Sequence, residues 1–280
     1  MAKNREPKKN NERHWSLAQI NATEKVEKNL QQALELAETA REAGCSLIAF
    51  PENFLLRGDG DTIRARGGAA AEKGLGQLKQ KAQEVGINIL AGSIPEPEEE
   101  TNGFYNTAYF INSGGEISAF YRKIHLFDIE LEEELKLREA DYLKPGEDVT
   151  VVDFDGFNCG VGICYDLRFP ELFRRLSESG VGVIFVPASF TAQTGQAHWR
   201  PLLRARAIEN QCYVIAPAQT GKNKINDVVS HGHSLVVDPW GKVIAEKKRR
   251  PGLLTFTIKR SRIEKIRRQL PALQHRELSE

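Results

Sequence analysis

The chain has 280 residues, with 40% hydrophobic residues, 28% charged residues and a formal net charge of +1. That length can bury a substantial core, and the near-neutral charge gives no long-range field that would favour nucleic acid or an anionic membrane. No apolar run approaches the ~20 residues that a membrane-spanning helix needs, so neither lipid nor nucleic acid is an expected partner.

Residues 1–13, MAKNREPKKNNER, are polar and basic with no apolar stretch. They do not read as a secretory signal; they predict a disordered arm ahead of a single domain over 14–280. Residues 15–20 alternate weakly and read as a first strand. Asn21 stands three residues before Glu24, the spacing of a capping box. Val26, Leu30, Ala33, Leu34, Ala37 and Ala40 then recur at helical intervals until Gly44. Residues 46–50 are a short apolar run, as expected of a buried strand. A helix over 75–85 closed by Gly86, a strand over 87–94 and an acidic turn over 95–102 follow. Strands over 105–111 and 117–124 flank Asn112-Ser113-Gly114-Gly115, a strong hairpin signal.

Residues 125–148 break this pattern. They are highly charged, carry the run ELEEE at 130–134, and read either as a solvated helical excursion or as a lid beside a site. From residue 149 the alternation resumes. Strands are expected over 149–154 and 157–164, a helix over 170–179, a strand over 181–187 and a helix over 196–210. Further strands fall at 212–218, 234–237, 243–245 and 253–258, before a basic helix over 263–270 that Pro271 stops. Interleaved helices and strands with hairpins predict an α/β layered fold with mixed sheets. The four cysteines, Cys45, Cys159, Cys164 and Cys212, form no CxxC pair. With no export signal, they point to a reducing cytoplasm rather than a disulfide framework.

Three segments share one design, an apolar strand that ends in a functional side chain: IAFPE at 48–52, FYRKIH at 120–125 and GVGICYDLR at 160–168. In α/β folds such ends gather at a site. Singly, each residue has an ordinary explanation: Glu52 as a surface carboxylate or cap, Lys123 as a snorkelling cation, Cys164 as an inert core thiol. Together, FPEN at 50–53, YRKIHLFD at 121–128 and GICYDLRFPE at 162–171 resemble the glutamate, lysine and cysteine motifs of the nitrilase, or carbon–nitrogen hydrolase, superfamily. The resemblance runs from about Trp15 to Arg276. ASFTAQTGQAHWRPLLRARAIENQCYV at 188–214, HGHSLVVDPWG at 231–241 and LPALQHR at 270–276 resemble the branch of omega-amidases and deaminated glutathione amidases.

The resemblance implies a four-layer α-β-β-α sandwich that pairs into a homodimer through the helices after Pro170 and before Gln211. It implies no cofactor and no metal. The activity expected from it is hydrolysis of a small linear amide bearing a carboxylate to an acid and ammonia, with deaminated glutathione as the leading substrate. An omega-amidase for alpha-ketoglutaramate, an N-carbamoyl amino-acid hydrolase and a non-enzymatic interaction protein are the alternatives. A redox-sensing Cys164 is a further one, with Cys159 five residues away. Cys164 would attack the carbonyl to give a thioester, Glu52 would act as base, and Lys123 with the Tyr165 backbone N–H would hold the oxyanion. Glu139, in LREADYLKPG, falls where the family places a second glutamate, although ELEEELK at 130–136 departs from the Pro/Gly-rich stretch of relatives; surface exposure is its other reading. Arg168 and Thr194 match the carboxylate-binding pattern of the branch; alternatively, Arg168 ties its turn to Glu171 or Asp166. His125, His198, His231 and His233 lack a carboxylate or cysteine at zinc spacing and read as structural.

Overall fold

Two stacked β-sheets carry the core, and in each sheet parallel central strands are flanked by antiparallel ones. The computed structural model describes residues 12–100, 103–131 and 135–278. The first half contains β1 (Glu12–Gln19), α1 (Val26–Glu42), β2 (Leu47–Ala49), α2 (Gly60–Val85), β3 (Asn88–Pro97), β4 (Phe104–Ile111) and β5 (Ile117–Arg122). A small hairpin follows, β6 (Asp128–Leu131) and β7 (Leu135–Arg138), then a 3-10 turn at Glu139–Asp141 and β8 (Leu143–Lys144). The second half opens with β9 (Val151–Phe154), β10 (Phe157–Val161), a 3-10 turn at Cys164–Arg168, α3 (Pro170–Glu178), β11 (Val183–Phe185), α4 (Ala192–Asn210) and β12 (Tyr213–Ala216). It closes with β13 (Thr220–Lys222), β14 (Val229–His231), β15 (Ser234–Val237), β16 (Val243–Lys247), β17 (Gly252–Lys259) and α5 (Arg260–Gln269).

One sheet has the order β17-β1-β2-β3-β4-β5, with β8 beside β4, and the other β16-β15-β12-β11-β10-β9. β1, β2 and β3 are parallel, as are β10, β11 and β12, so both halves repeat a strand–helix–strand–helix–strand path. Side chains alternate across β1. Trp15 and Leu17 join the core between the sheets, where the Trp15 ring packs on Phe157 and Phe185. Ala18 and Ile20 join Leu30, Ala33 and Ala37 of α1 and Leu78 and Ala82 of α2. Because both faces are buried, the β2 segment reads as a continuous apolar run rather than an alternating one. Phe173 and Leu176 of α3 and Trp199 and Leu203 of α4 cover the second sheet. The result is the expected four-layer α-β-β-α arrangement.

Several boundaries differ from the sequence reading. α2 starts at Gly60, well ahead of residue 75, capped by the Asp59 side chain on the Thr62 N–H. Its glycines lower helix propensity, but Gly67 and Gly74 sit where a Cβ would run into Phe104 and Leu55. Close packing, not propensity, decides that helix. The Asn21–Glu24 capping box does not form: α1 begins at Val26 with no side-chain cap, and the Asn21 Oδ1 accepts from Arg57 instead, at 3.3 Å. β3 continues to Pro97, through part of the expected acidic turn, while β10 stops at Val161. The helical reading of 125–148 is wrong, because β6 and β7 pair as an antiparallel hairpin. β13 and β14 were not anticipated. Glu12 and Arg13, expected in the arm, pair with Lys259 and Ile258 in β1; residues 1–11 lie outside the described residues. Among the described residues, no helix is long and apolar enough to cross a membrane.

β3 shapes the route to Glu52. Its pairing with β4 shifts register between Ala91 and Ile94. Gly92 there lets the Phe50 carbonyl approach so closely that a Cβ would overlap it, and the Ser93 Oγ accepts from the Asn53 N–H at 2.9 Å. Gly92→Ala is therefore expected to destabilise the protein by about 3 kcal/mol, the upper end of ordinary overpacking. Denaturant unfolding checks this; a loss below about 1 kcal/mol would show that the turn before Glu52 yields freely.

Candidate active site

Three chain segments leave the sheets at one place. The first sheet supplies Glu52, just beyond β2, and Lys123, directly after β5. The second supplies Cys164, which opens the 3-10 turn after β10. Lys123 is fully buried. Its Nζ donates to Glu52 Oε1 at 3.0 Å and to Glu139 Oε1 and Oε2 at 3.1 and 2.8 Å. The Glu52 carboxylate also accepts from Asn106 Nδ2 at 3.0 Å and from the Ser189 N–H at 2.9 Å. Glu139 Oε2 accepts from the Phe127 N–H at 2.8 Å. Glu139 is thus not a surface residue: the β6–β7 hairpin and the 3-10 turn behind it carry its carboxylate to the lysine, leaving its side chain 14% exposed.

Burial alone would push the Lys123 pKa down, but Glu139 and Glu52 outweigh it and hold the ammonium well above the usual lysine value. Burial raises the Glu139 carboxyl against the pull of Lys123. Burial, followed by the nearby Glu52 charge, pushes the Cys164 thiol well up, with Lys123 acting in the opposite sense. Burial and the Glu52 charge both favour the neutral thiol, and the Glu52 carboxylate stands beside it. Among the residues of the site, this arrangement can supply a nucleophile, a base and a fixed cation.

Cys164 occupies the left-handed region, at φ 50°, where a non-glycine residue is strained. The strain is held by its N–H to the Pro187 carbonyl at 2.9 Å and by Asp166, two residues on. Asp166 is fully buried. It accepts from the Ile163 N–H at 2.7 Å, the Tyr121 hydroxyl at 2.8 Å, the His125 N–H at 2.9 Å and the His125 Nδ1 at 2.7 Å. The His125 ring stacks on Phe169, 3.6 Å between centroids and 4° between planes. Asp166 therefore ties the chain on both sides of Lys123 to the cysteine turn. Sequence reasoning missed Tyr121, Asn106 and Ser189, and named Asp166 only as a possible partner of Arg168. The available signal was the alternation of Tyr121, Lys123 and His125, which puts three polar tips on one side of an extended chain.

A cavity of about 390 Å³ opens onto Cys164, Glu52 and Glu139 and is also lined by Arg57, Arg64, Arg138 and Tyr142. A narrow second pocket at Cys164 is lined by Tyr165, Arg168, Phe190 and Thr194. Arg168 lies 5.7 and 5.4 Å over the Tyr165 and Phe190 rings, with Nη1 3.2 Å from His198 Nδ1. It does not tie its turn to Glu171 or Asp166. Thr194 lines the pocket, while its N–H and hydroxyl meet the Thr191 hydroxyl at 3.3 and 2.9 Å at the start of α4. The Tyr165 N–H lies in the first turn of its 3-10 segment, where such groups lack an intrahelical acceptor. Arg57, not singled out by sequence, is pushed down to about 10 by burial despite Glu52. It donates to Asn21, to the Thr220 carbonyl and to Ser230. The His231 and His233 rings stack at 4.5 Å, and His233 Nδ1 meets Glu246 at 2.9 Å. Among the described residues, no group of three or more His, Cys, Asp or Glu side chains is placed to hold a metal ion.

The carbon–nitrogen hydrolase family profile matches residues 16–268. This chain belongs to the carbon–nitrogen hydrolase family. It is 42% identical over 261 residues to a deaminated glutathione amidase of Synechocystis sp., covering 92% of this chain and 96% of that one. It is 38% identical over 267 residues to the deaminated glutathione amidase of Mus musculus, covering 93% and 82%. Among solved structures, the C. elegans NitFhit protein superposes with a TM-score of 0.91 at 34% identity over 95% of this chain; the chain spans 65% of that longer protein. A mutant amidase from Nesterenkonia sp. AN1, with the acetamide moiety of fluoroacetamide added covalently at its active-site cysteine, superposes with a TM-score of 0.82 at 26% identity, covering 97% of this chain and 95% of that one. The family makes the chain a hydrolase of amide carbon–nitrogen bonds.

An acid whose pKa is raised stays protonated at and beyond its ordinary value. Difference absorbance between wild type and Cys164→Ala is therefore expected to show no thiolate below about pH 9. A thiolate band at pH 7 would mean a preformed ion pair with Lys123 instead.

Proposed function

We propose that the protein is an amidase that hydrolyses deaminated glutathione through a thioester on Cys164. The observation that carries this reading is that Glu52 and Glu139, the two carboxylates that hold the buried Lys123, line the same cavity as Cys164. Glu52 takes the thiol proton as the sulfur attacks the carbonyl carbon. The C–S bond forms and the carbonyl electron pair moves onto oxygen, where the Lys123 ammonium and the Tyr165 N–H stabilise it. Losing one such donor typically lowers turnover by ~10²–10³. Collapse breaks the C–N bond, and the amine leaves with the proton held by Glu52. Water, deprotonated by Glu52, then hydrolyses the thioester and restores the thiol. Glu139 positions Lys123 and keeps it charged. These steps use only side chains, backbone and water.

The chemistry of this substrate corrects the expected product. Deaminated glutathione has no primary carboxamide; its scissile bond joins a 2-oxo acid to cysteinylglycine. Hydrolysis releases 2-oxoglutarate and that dipeptide, whereas alpha-ketoglutaramate, the alternative with the same acyl group, releases ammonia. Arg168 supports an acidic acyl group. It lines the narrow pocket at Cys164, and among the described residues it has no carboxylate partner. Its fork would grip the 2-oxo acid end beside Thr194 and align the carbonyl.

The protein acts in this reading as a homodimer joined through α3 and α4. Trp240 and Ile208, 56% and 48% exposed, supply apolar surface near the end of α4. Four free, buried cysteines support a reducing, cytoplasmic setting.

Product analysis over deaminated glutathione, alpha-ketoglutaramate, N-carbamoyl amino acids and neutral amides tests the reading. The highest kcat/KM is expected on deaminated glutathione. Cys164→Ala should abolish turnover, and Glu52→Gln and Lys123→Ala should each lower it by about 10² or more, with a double variant far from additive. Near wild-type turnover in either single variant would contradict the mechanism.

A further inference from the structure

The cavity beside Cys164 is much larger than the release of ammonia requires. The narrow pocket and the main cavity meet at the nucleophile and share Phe127, Ser189 and Thr191 in their walls. The narrow pocket holds about 10 Å³, so the bulk of the substrate, the leaving amine included, has to lie in the cavity of about 390 Å³. Ammonia is about the size of water, whose share of liquid volume is about 30 Å³. The main cavity has room for a chain of atoms.

Three arginines line the main cavity, and two are already engaged. Arg57 is held by Asn21, Thr220 and Ser230. Arg64 donates to Asp61 at 2.9 Å and to the Asp141 carbonyl at 2.8 Å. Arg138, the last residue of β7, lines the cavity and makes no ion pair or hydrogen bond through its side chain among the described residues. Two of the nearby acids are also occupied, Asp59 by Thr62 and Asp61 by Arg64. Arg138 adjoins Glu139, whose carboxylate bonds Lys123, so this guanidinium is carried on the segment that completes the core.

We infer that the Arg138 side of this cavity is a binding subsite for the leaving amine, and that it selects a peptide-like amine ending in a carboxylate. The inference rests on Cys164 being the nucleophile, as proposed above. Two extended residues span about 7 Å, so a dipeptide amine places its terminal carboxylate well away from the bond that breaks. A guanidinium binds such a group through two parallel N–H bonds. Asn223 and Asn226, from the β13–β14 segment, offer amide partners for the peptide unit between. The electron pair of the broken C–N bond stays on the amine nitrogen, which takes its proton from Glu52. Arg138 takes no part in that transfer.

The test measures kcat/KM for wild type, Arg138→Ala and Arg138→Lys on three probes. These are deaminated glutathione, the same molecule with its glycine carboxylate amidated, and alpha-ketoglutaramate. Wild type is expected to prefer the free carboxylate over the amidated form by about tenfold or more. Arg138→Ala should erase that preference, acting mainly on KM, and should lower the ratio of deaminated glutathione to alpha-ketoglutaramate turnover by about 10- to 100-fold. Arg138→Lys should keep part of it. Equal losses on all three probes, or a wild type indifferent to amidation, would overturn the subsite while leaving the amidase reading intact. A wild type inactive on all three would overturn that reading and the subsite with it.

Discussion

A lysine with no exposed surface needs its charge answered from within the protein, and much of this site is built around that need. Taking an ammonium out of water is unfavourable by several kcal/mol unless partners with good geometry compensate. Lys123 has two carboxylates, Glu52 and Glu139, at 2.8–3.1 Å. They in turn are held by Asn106, Ser189 and Phe127. Each contact fixes a different part of the chain: a turn after β2, the strand end after β5, the stretch behind the β6–β7 hairpin and the loop after β11. The lysine thereby acts as a registration point for both sheets.

The fold delivers this arrangement because its two halves repeat one path. Parallel central strands end on the same side, and the first half brings Glu52 and Lys123 there while the second brings Cys164. Gly92 and Ser93 set the turn before Glu52, and Asp166 joins the cysteine turn to the residues flanking Lys123. Both devices place strained or polar backbone where regular strands would leave no functional side chain. The neutral thiol follows from the same burial. A buried cysteine next to a carboxylate is held toward its neutral form, as the proposed role of Glu52 as base requires.

Where burial pattern and local chemistry agree, the sequence was readable. α1 follows its apolar stripe from Val26, and residues 46–50 are apolar throughout because β2 is covered on both faces. The three motif segments carry Glu52, Lys123 and Cys164 to one place, as their strand-end positions suggested. Where tertiary contact overrides local preference, it was not readable. The glycines of α2 look like helix breakers until Phe104 and Leu55 are seen to fill the space a Cβ would take. The charged 125–148 stretch looked helical or loop-like. Its hairpin instead has one end fixed by contacts with the core, with Glu139 joined to Lys123 and to the Phe127 N–H. Asn21 had the spacing of a cap, but a buried arginine from a distant loop claimed its side chain. Asp166 was legible only as a possible partner of Arg168, because its four donors come together in space and not in sequence.

In the proposed mechanism Cys164 carries the acyl group between two half-reactions. Mixing wild-type enzyme with excess deaminated glutathione, quenching in acid within the first turnovers and mapping the adduct by mass spectrometry tests it directly. A 2-oxoglutaryl thioester is expected on the peptide that contains Cys164, absent when that residue is alanine. An adduct on Cys45, Cys159 or Cys212, or rapid product formation with Cys164 replaced by alanine, would contradict it.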